Sequence, residues 1–365
     1  MLLQNLRVRD WRNFSAASVE LTSRITVLFG QNGQGKSNLL EAAYVLVGFR
    51  SFRTSSTSDL VRWGAQGAKI EGQVVLRDLE RKLVVELAAG RRKTMLDGKV
   101  VRRDSNALEG AGVVVFAPGD LQLPKGPAAD RRKAIDRATF AVCRPYYQEA
   151  VDFERALKAR NSLLRRGDFT HDLLASYTET LARVGARIVM RRREVAASLS
   201  PVFADVFADI HGGLSASISY RSDERVENAL DEEQVVAALH QGLVAETSKD
   251  VRRGFTGFGP QTDDLEMQLA ERPAKEHGSQ GQLRSMVLAL KISEVRHATE
   301  RNGEEPLLLL DDVASELDEE RRNRLFGTIA NMACQTVITV TEREHLPNLP
   351  GRRDWRVDAG RVAPE

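Results

Sequence analysis

The segment Gly30-Gln31-Asn32-Gly33-Gln34-Gly35-Lys36-Ser37 fits the pattern G-x-x-x-x-G-K-S at every position. An apolar run, Ile25-Thr26-Val27-Leu28-Phe29, precedes it, and Asn38-Leu39-Leu40-Glu41-Ala42-Ala43-Tyr44-Val45-Leu46 follows as a helix. Glycines at these positions let backbone N–H groups turn inward on phosphate oxygens. Lys36 can then reach the β and γ phosphates, and Ser37 can ligate magnesium. A chance glycine turn before a helix is the competing reading, and the flanking strand and helix weigh against it. The expected ligands are ATP and Mg2+, with Gly30, Gln31, Asn32, Gly33, Gln34, Gly35, Lys36, Ser37 and Asn38 as the nucleotide-binding set.

A second constellation is Leu307-Leu308-Leu309-Leu310-Asp311-Asp312, an apolar strand that delivers two carboxylates to its C-terminal end. Nucleotide hydrolysis needs one acid to hold magnesium and one group to orient water. Asp311 is the expected metal ligand beside Ser37, and Asp312, with Lys36, the expected catalytic residue. A solvated acidic strand end would look the same in isolation. A third segment, Gly278-Ser279-Gln280-Gly281-Gln282-Leu283-Arg284-Ser285, opens a helix through Met286, Val287 and Leu290. A small polar segment at a helix N-terminus receives anions well, although Ser279 could equally be a helix cap.

The elements that must position these residues fall into two textures. Residues 1–121 read as short strands and turns, among them Lys69–Val75, Leu83–Ala88 and Val113–Phe116. Asp97-Gly98 marks a hairpin. From about residue 127 long charged helices take over, one over Arg144–Arg166. The next carries Leu174, Tyr177, Leu181, Val184 and Ile188 at spacings of 3, 4, 3 and 4, continued by Arg191 and Val195. Pro201 predicts a new helix that Gly212-Gly213 ends. Alternating α/β texture returns after about residue 254, with a strand over Thr336–Thr341. The expectation is an α/β nucleotide-binding head formed by residues 1–125 and 251–365, interrupted by a helical arm over 126–250.

The composition sets bounds on what such a chain can be. Its 365 residues are 42% hydrophobic and 28% charged, enough for a core and a soluble surface, and its 53 basic and 51 acidic residues leave a formal net charge of +2. Cys143 and Cys334 are far apart and lack metal-ligand spacing, as in a reduced cytosolic chain. No apolar run reaches membrane-spanning length, and the N-terminus lacks an apolar signal region. A cytoplasmic protein without a membrane partner is expected.

The three sites, in this order, resemble those of the ABC-type P-loop ATPases. Ser279-Gln280-Gly281-Gln282 resembles their signature motif, which implies a contact to ATP bound on an opposite subunit. Ser315-Glu316-Leu317-Asp318 resembles their D-loop. Asp312 stands where most members carry Glu, and a shorter acid reaches water less well, which implies slow hydrolysis. Thr341 stands near the usual switch histidine, a role not given to His345. Within that superfamily the chain resembles the RecF family of bacterial recombinational repair, itself related to the heads of structural-maintenance-of-chromosomes proteins. The resemblance rests on Trp11-Arg12-Asn13-Phe14, Gly30–Glu41, Ser51-Phe52-Arg53-Thr54, Phe116-Ala117-Pro118-Gly119-Asp120-Leu121, Arg131-Arg132, Asp136, Arg160-Asn161, Gly259-Pro260, Asp263-Asp264-Leu265 and Asp311–Asp318. Gln261-Thr262 departs from the usual His-Arg.

That resemblance implies an ATP-gated homodimer that binds DNA at gaps or junctions. It also implies RecR and RecO as partners, promotion of RecA loading, and weak ATP hydrolysis used as a switch. It further implies that Arg12 and Asn13 contact the base or ribose, for which a plain strand-end turn is the competing reading. Asp120 and Gln122 both lie where a γ-phosphate-sensing loop falls. Basic clusters at Arg50 and Arg53, Arg91-Arg92-Lys93, Arg131-Arg132-Lys133, Arg165-Arg166 and Arg191-Arg192-Arg193 could contact the DNA backbone or be solvated faces. No sequence-reading module is present, so structure-dependent rather than sequence-specific DNA binding is expected. The ATP-binding subunit of a membrane transporter needs the same three motifs but carries a much shorter helical insert. A nuclease would need a further acidic metal cluster.

Overall fold

The computed structural model describes residues 1–54, 56–101, 110–211, 213–312, 314, 315, 317 and 319–365. Gly212 and, in the expected D-loop, Glu316 and Asp318 lie outside the described residues, as does the side chain of His345. The chain divides into two units, Met1–Gln122 with Arg284–Glu365, and Leu123–Leu283.

The first unit holds two sheets. One is antiparallel and runs, in spatial order, Phe14–Glu20, Asn5–Trp11, Gly67–Leu76, Leu79–Ala88, Arg91–Leu96 and Lys99–Val100. Its strands alternate buried and exposed residues, as in Gly67–Leu76, because one face packs on the core and the other meets water. Asp97 and Gly98, both at positive φ (49° and 79°), make the tight turn between its last two strands. The other sheet has the spatial order Arg361–Pro364, Arg352–Asp358, Ile25–Phe29, Thr336–Val340, Leu307–Asp311, Val113–Phe116. Its central strands are parallel, and Leu307–Asp311 and Thr336–Val340 are buried at every position. Such strands are covered on both faces, which is why they read as unbroken apolar runs. The strand Thr336–Val340 lies between the two that lead into Gly30 and end at Asp311.

The second unit is built on helices Ala128–Val142, Tyr146–Arg166 and His171–His211, with Glu232–Ala245 and Thr247–Arg253. It also contains a small sheet in which Ala216–Arg221 pairs antiparallel with Asp264–Leu269 along six residues. That pairing joins the segment after residue 250 to this unit, which therefore extends to Leu283. The helix His171–His211 passes through Pro201 without ending, against the sequence expectation of a break there. Its buried stripe is also broader than a heptad seam. Thr178, Gly185 and Arg192 are buried, whereas Tyr177, Val184 and Arg191 are only half-buried. A stripe this broad, with Ala182, Ala186, Val189 and Ala196 also buried, packs on several neighbouring elements rather than on a single partner helix.

Charged side chains are drawn into this core and paired there. Arg160, 0% exposed, donates to Asp250 Oδ2 at 2.7 Å and to Thr256 Oγ1 at 2.7 Å. Arg192 holds both oxygens of Asp136, at 2.7 and 3.0 Å, and donates to the Pro260 carbonyl at 2.8 Å. Arg131 makes a two-pronged pair with Asp264, both distances 2.7 Å, and Arg193 donates to the carbonyls of Ala229 and Val226. Two of the basic clusters read from the sequence, Arg131–Lys133 and Arg191–Arg193, are thus largely committed inside this unit. Gln261 and Thr262 donate to the carbonyls of Phe258 and Gly259, which closes the loop that precedes Asp263.

Breaking a buried pair by removing one partner strands the other charge, at a cost of about 3–5 kcal/mol. Arg160→Met is expected to destabilise the second unit by that amount in urea unfolding, and a loss below ~1 kcal/mol, the range of an exposed pair, would refute this. Burial pushes the Asp263 carboxyl up to about 6, against the opposing hydrogen bond from Tyr220 and the charge of Arg192. The unfolded value is about 4, so the native state binds the extra proton between pH 4 and 6. Stability therefore falls as pH rises through that window, by on the order of 3 kcal/mol if Asp263 acts alone. The pH dependence of the urea midpoint from pH 4 to 7 is expected to flatten in Asp263→Asn, and an unchanged slope would show that Asp263 is not its source.

Candidate nucleotide-binding site

The loop Gly30–Gly35 bridges the strand Ile25–Phe29 and the helix Lys36–Gly48. Two of its glycines are required by contact as well as by conformation. Gly30 has φ +148°, and a Cβ there would lie 2.2 Å from the carbonyl oxygen of Val357. Gly35 has φ +113°, and a Cβ would lie 2.6–2.7 Å from the Asn13 amide and the Phe14 ring. Only glycine combines those angles with that approach. The loop is held from outside by Asn13, whose Nδ2 donates to the Gln34 carbonyl at 2.9 Å and whose Oδ1 accepts from Asn38 Nδ2 at 2.8 Å. The backbone N–H of Ala359 donates to Gln34 Oε1 at 2.6 Å.

Lys36 begins the helix and folds back over the loop, its Nζ donating to the carbonyls of Gly30 (2.6 Å) and Gln31 (3.0 Å). Burial lowers its ammonium pKa, opposed by the negative charges of Asp312 and Asp311. Ser37 donates from Oγ to Asp311 Oδ1 at 2.6 Å, and Thr339 Oγ1 donates to the same oxygen at 2.9 Å. Thr339 also accepts the backbone N–H of Asp312 at 2.9 Å. Asp312 sits at φ +50°, so the chain turns sharply as it leaves the strand. The structure therefore gathers Lys36, Ser37, Asp311 and Asp312 from segments far apart in the chain.

The set Ser37 plus Asp311 offers one hydroxyl and one carboxylate, both hard oxygen donors. Magnesium takes few protein ligands and completes its shell with water and phosphate oxygens, so these two fit that ion. A recess of about 280 Å³ lies beside the loop, lined by Gly30, Gln31, Thr341, Arg343 and Arg356 among others.

Arg12 is committed within the protein. Its guanidinium grips the buried carboxylate of Glu41 at 2.8 and 2.9 Å and donates to the Asp59 carbonyl at 2.8 Å. Ser51 donates to Glu41 as well, and Arg53 donates to Asn38 Oδ1 at 2.7 Å. Asp120 is buried, 3.6 Å from Lys291 Nζ, while Gln122 is exposed. Ser279 and Gln282 form a reciprocal cap at the start of the helix Gln280–Asn302. The Ser279 N–H donates to Gln282 Oε1 at 2.8 Å, and the Gln282 N–H donates to Ser279 Oγ at 3.3 Å. Ser315 Oγ donates to the Asp312 carbonyl at 2.8 Å. Thr339 and Glu41 went unnoticed as site residues in the sequence. A threonine in a buried strand and a glutamate in a helix carry no motif, and only their tertiary partners reveal them.

The chain matches the model of the RecF/RecN/SMC N terminal domain over residues 2–350. It is 40% identical over 346 residues to the DNA replication and repair protein RecF of Myxococcus xanthus, covering 94% of this chain and 91% of that one. It is 34% identical to the RecF of Geobacter sulfurreducens, with 100% of both chains covered. The chain belongs to the RecF family. Among solved structures, the recombination mediator protein RecF with ATP in the RecFOR pathway superposes with a TM-score of 0.88 at 28% identity, covering 100% of this chain and 97% of that one. A SmcHead structure bound to the C-winged helix domain of ScpA has a TM-score of 0.57 at 17% identity, which shows a shared fold. The fold of this RecF-family chain is thus the α/β ABC-type P-loop ATPase head with inserted helices.

Thr339 orients the Asp311 carboxylate, and where such a carboxylate holds a metal, losing a partner of this kind costs about 10- to 100-fold in metal affinity. In this RecF-family chain Thr339→Val is expected to weaken magnesium-dependent ATP binding by about tenfold or more, leaving magnesium-free nucleotide binding unchanged. A calorimetric titration of nucleotide with and without Mg2+ separates the two, and an unaltered magnesium dependence would remove Thr339 from this role.

Proposed function

We propose that the protein is an ATP-binding, slowly hydrolysing DNA-binding protein of recombinational repair, in which ATP joins two copies around DNA. The observation that carries the reading is the 2.6 Å contact between Ser37 and Asp311, in the first turn of the helix that follows the loop Gly30–Gly35. It supports a phosphate cradle and a carboxylate acting in one site, in a chain that resembles RecF proteins from end to end.

On this reading Gly30–Asn38 binds the phosphates, and Lys36 leaves the carbonyls of Gly30 and Gln31 to meet the β and γ oxygens. Ser37 and Asp311 hold magnesium, which neutralises phosphate charge when bound. Asp312 orients the attacking water. Its backbone is tied to Thr339, but its side chain is one methylene shorter than glutamate, so turnover is slow and the ATP-bound state long-lived. Asn13 stands against the loop and is assigned to the ribose or base. Arg12 supports it through Glu41, on the helix that begins at Lys36. Ser279–Gln282 of a second copy contacts the γ-phosphate. The Ser279 oxygen accepts from Gln282, and its hydroxyl proton remains available to donate, since a hydroxyl is donor and acceptor at once.

The DNA class is a gap or junction, bound through the backbone and without base sequence preference. RecR and RecO as partners, and RecA loading as the outcome, come to this chain from its resemblance to RecF proteins. A transporter subunit is disfavoured by the size of the helical unit Leu123–Leu283. Among the described residues no helix is long and apolar enough to cross a membrane.

Sedimentation in the presence and absence of ATP and Mg2+ tests the reading. A monomer that becomes a dimer with ATP is expected. Lys36→Met is expected to lose nucleotide and dimer together. Ser279→Arg is expected to keep nucleotide and lose the dimer, and Asp312→Asn to keep both while hydrolysing about tenfold or more slowly. Normal ATP-driven dimerisation of Ser279→Arg would sink the trans contact.

A further inference from the structure

Trp63 is 97% exposed, an extreme for the side chain with the largest apolar surface. It stands on a tight turn closed by the Ala65 N–H bonding to the Arg62 carbonyl at 2.9 Å, followed by Gly64 at φ +80°. Beside it is a recess of about 310 Å³, roomy enough for a nucleobase, bounded by Ser58, Arg62, Gln66 and the hairpin tip Ala89–Arg91. Among the described residues the recess is lined by two arginines and no acidic side chain. Arg62 is partly neutralised by Asp10 at 2.8 Å, whereas Arg91 is exposed and makes no ion pair among the described residues. The hairpin tip holds its shape through Ala89 and Gly90, both at positive φ.

An exposed indole beside a cationic recess is the chemistry that takes up an unstacked base with its phosphate. We propose that this recess is a contact site for single-stranded nucleic acid, with one base stacked on Trp63 and the adjoining phosphate on Arg91. The inference rests on the DNA-binding reading above and locates part of that binding. A duplex keeps its bases stacked on each other and offers none to the indole, so the site distinguishes the single-stranded part of a gap from its double-stranded flanks.

The segment carrying Trp63 is also joined to the nucleotide helix. Arg62 N–H donates to the Asp10 carbonyl at 2.8 Å, and Arg12 N–H to the Leu60 carbonyl at 2.9 Å. Arg12 in turn grips Glu41, and Trp11 Nε1 donates to the Asn38 carbonyl at 2.7 Å. The segment beneath Trp63 is thus bonded to the strand whose Trp11 and neighbouring Arg12 hold the helix Lys36–Gly48.

The test uses the whole protein with ATP and Mg2+, an oligo-dT strand, and a blunt duplex of equal length. Trp11 and Trp355 are buried, so tryptophan emission quenched by the strand reports on Trp63. Trp63→Ala is expected to weaken binding of oligo-dT by about 5- to 100-fold while changing duplex binding less than twofold. Trp63→Phe is expected to restore most of the affinity, and Arg91→Ala to flatten the salt dependence of strand binding. Equal binding of oligo-dT by Trp63→Ala and wild type overturns the site, as does an equal loss on strand and duplex. If the wild type binds neither strand nor duplex, the DNA-binding reading itself fails, a result distinct from failure of the Trp63 site alone.

Discussion

Burying a carboxylate is costly unless it is hydrogen-bonded, and Asp311 is 6% exposed. Its Oδ1 is satisfied by two hydroxyls, Ser37 from the phosphate loop and Thr339 from the neighbouring strand. This requirement couples three segments that are distant in the chain. It demands that Thr336–Val340 lie between Ile25–Phe29 and Leu307–Asp311, and that Thr339 be opposite Asp311 in the parallel register, as it is. A one-residue slip would turn Thr339 to the other face and leave the acid with Ser37 alone of these two hydroxyls. The carboxyl ends of the parallel strands, where ligands gather in open α/β sheets, are thereby set against the helix that begins at Lys36.

The same rule governs the side chains around that site and those of the helical unit. Glu41, fully buried, takes Arg12 and Ser51, and so anchors the helix Lys36–Gly48 to the first hairpin. In the second unit Asp250 takes Arg160, Asp136 takes Arg192, and Asp264 takes Arg131. Such pairs are weak evidence for stability, because desolvating both partners offsets much of their attraction. They specify geometry well, since a displaced arginine would strand an acid. Arg192 illustrates this. Its fork spans Asp136 on one helix and the Pro260 carbonyl on the loop before Asp263, so one side chain orders three pieces of backbone.

Legibility in the sequence followed the range of the interaction. The phosphate loop was legible because its chemistry lies within eight consecutive residues, and Leu307–Asp312 because a four-leucine run ending in two acids needs no partner to be noticed. The hairpin at Asp97-Gly98 was legible from its turn residues alone. Thr339, Glu41 and the arginine pairs were not, because nothing local distinguishes a strand threonine that meets an acid from one that meets a methyl group. Pro201 misled for a related reason. A proline removes one helical hydrogen bond and crowds the preceding turn, at roughly 3 kcal/mol, but Leu199, Phe203, Val206 and Phe207 bury the helix on both sides of it. The seam was likewise placed to one side of the stripe that is buried: Thr178, Gly185 and Arg192 face the core, and Tyr177, Val184 and Arg191 beside them face partly outward.

Ser279 shows how a cap and an anion receptor can share one set of atoms. The reciprocal bonds with Gln282 satisfy two N–H groups at the start of the helix Gln280–Asn302, as any S-x-x-Q cap would. They leave the serine hydroxyl free to donate at the exposed start of a 23-residue helix, where the helix dipole favours an anion. A γ-phosphate offered by a second subunit would thus meet a donor already held in place, with little rotamer entropy left to lose. Under the proposed trans arrangement the cap preorganises the contact, and its geometry needs no ATP in the same subunit. The short Asp312 then matters in a different way. On the same proposal slow hydrolysis would set the lifetime of the assembled state, and its formation would depend on a surface that is ready in advance.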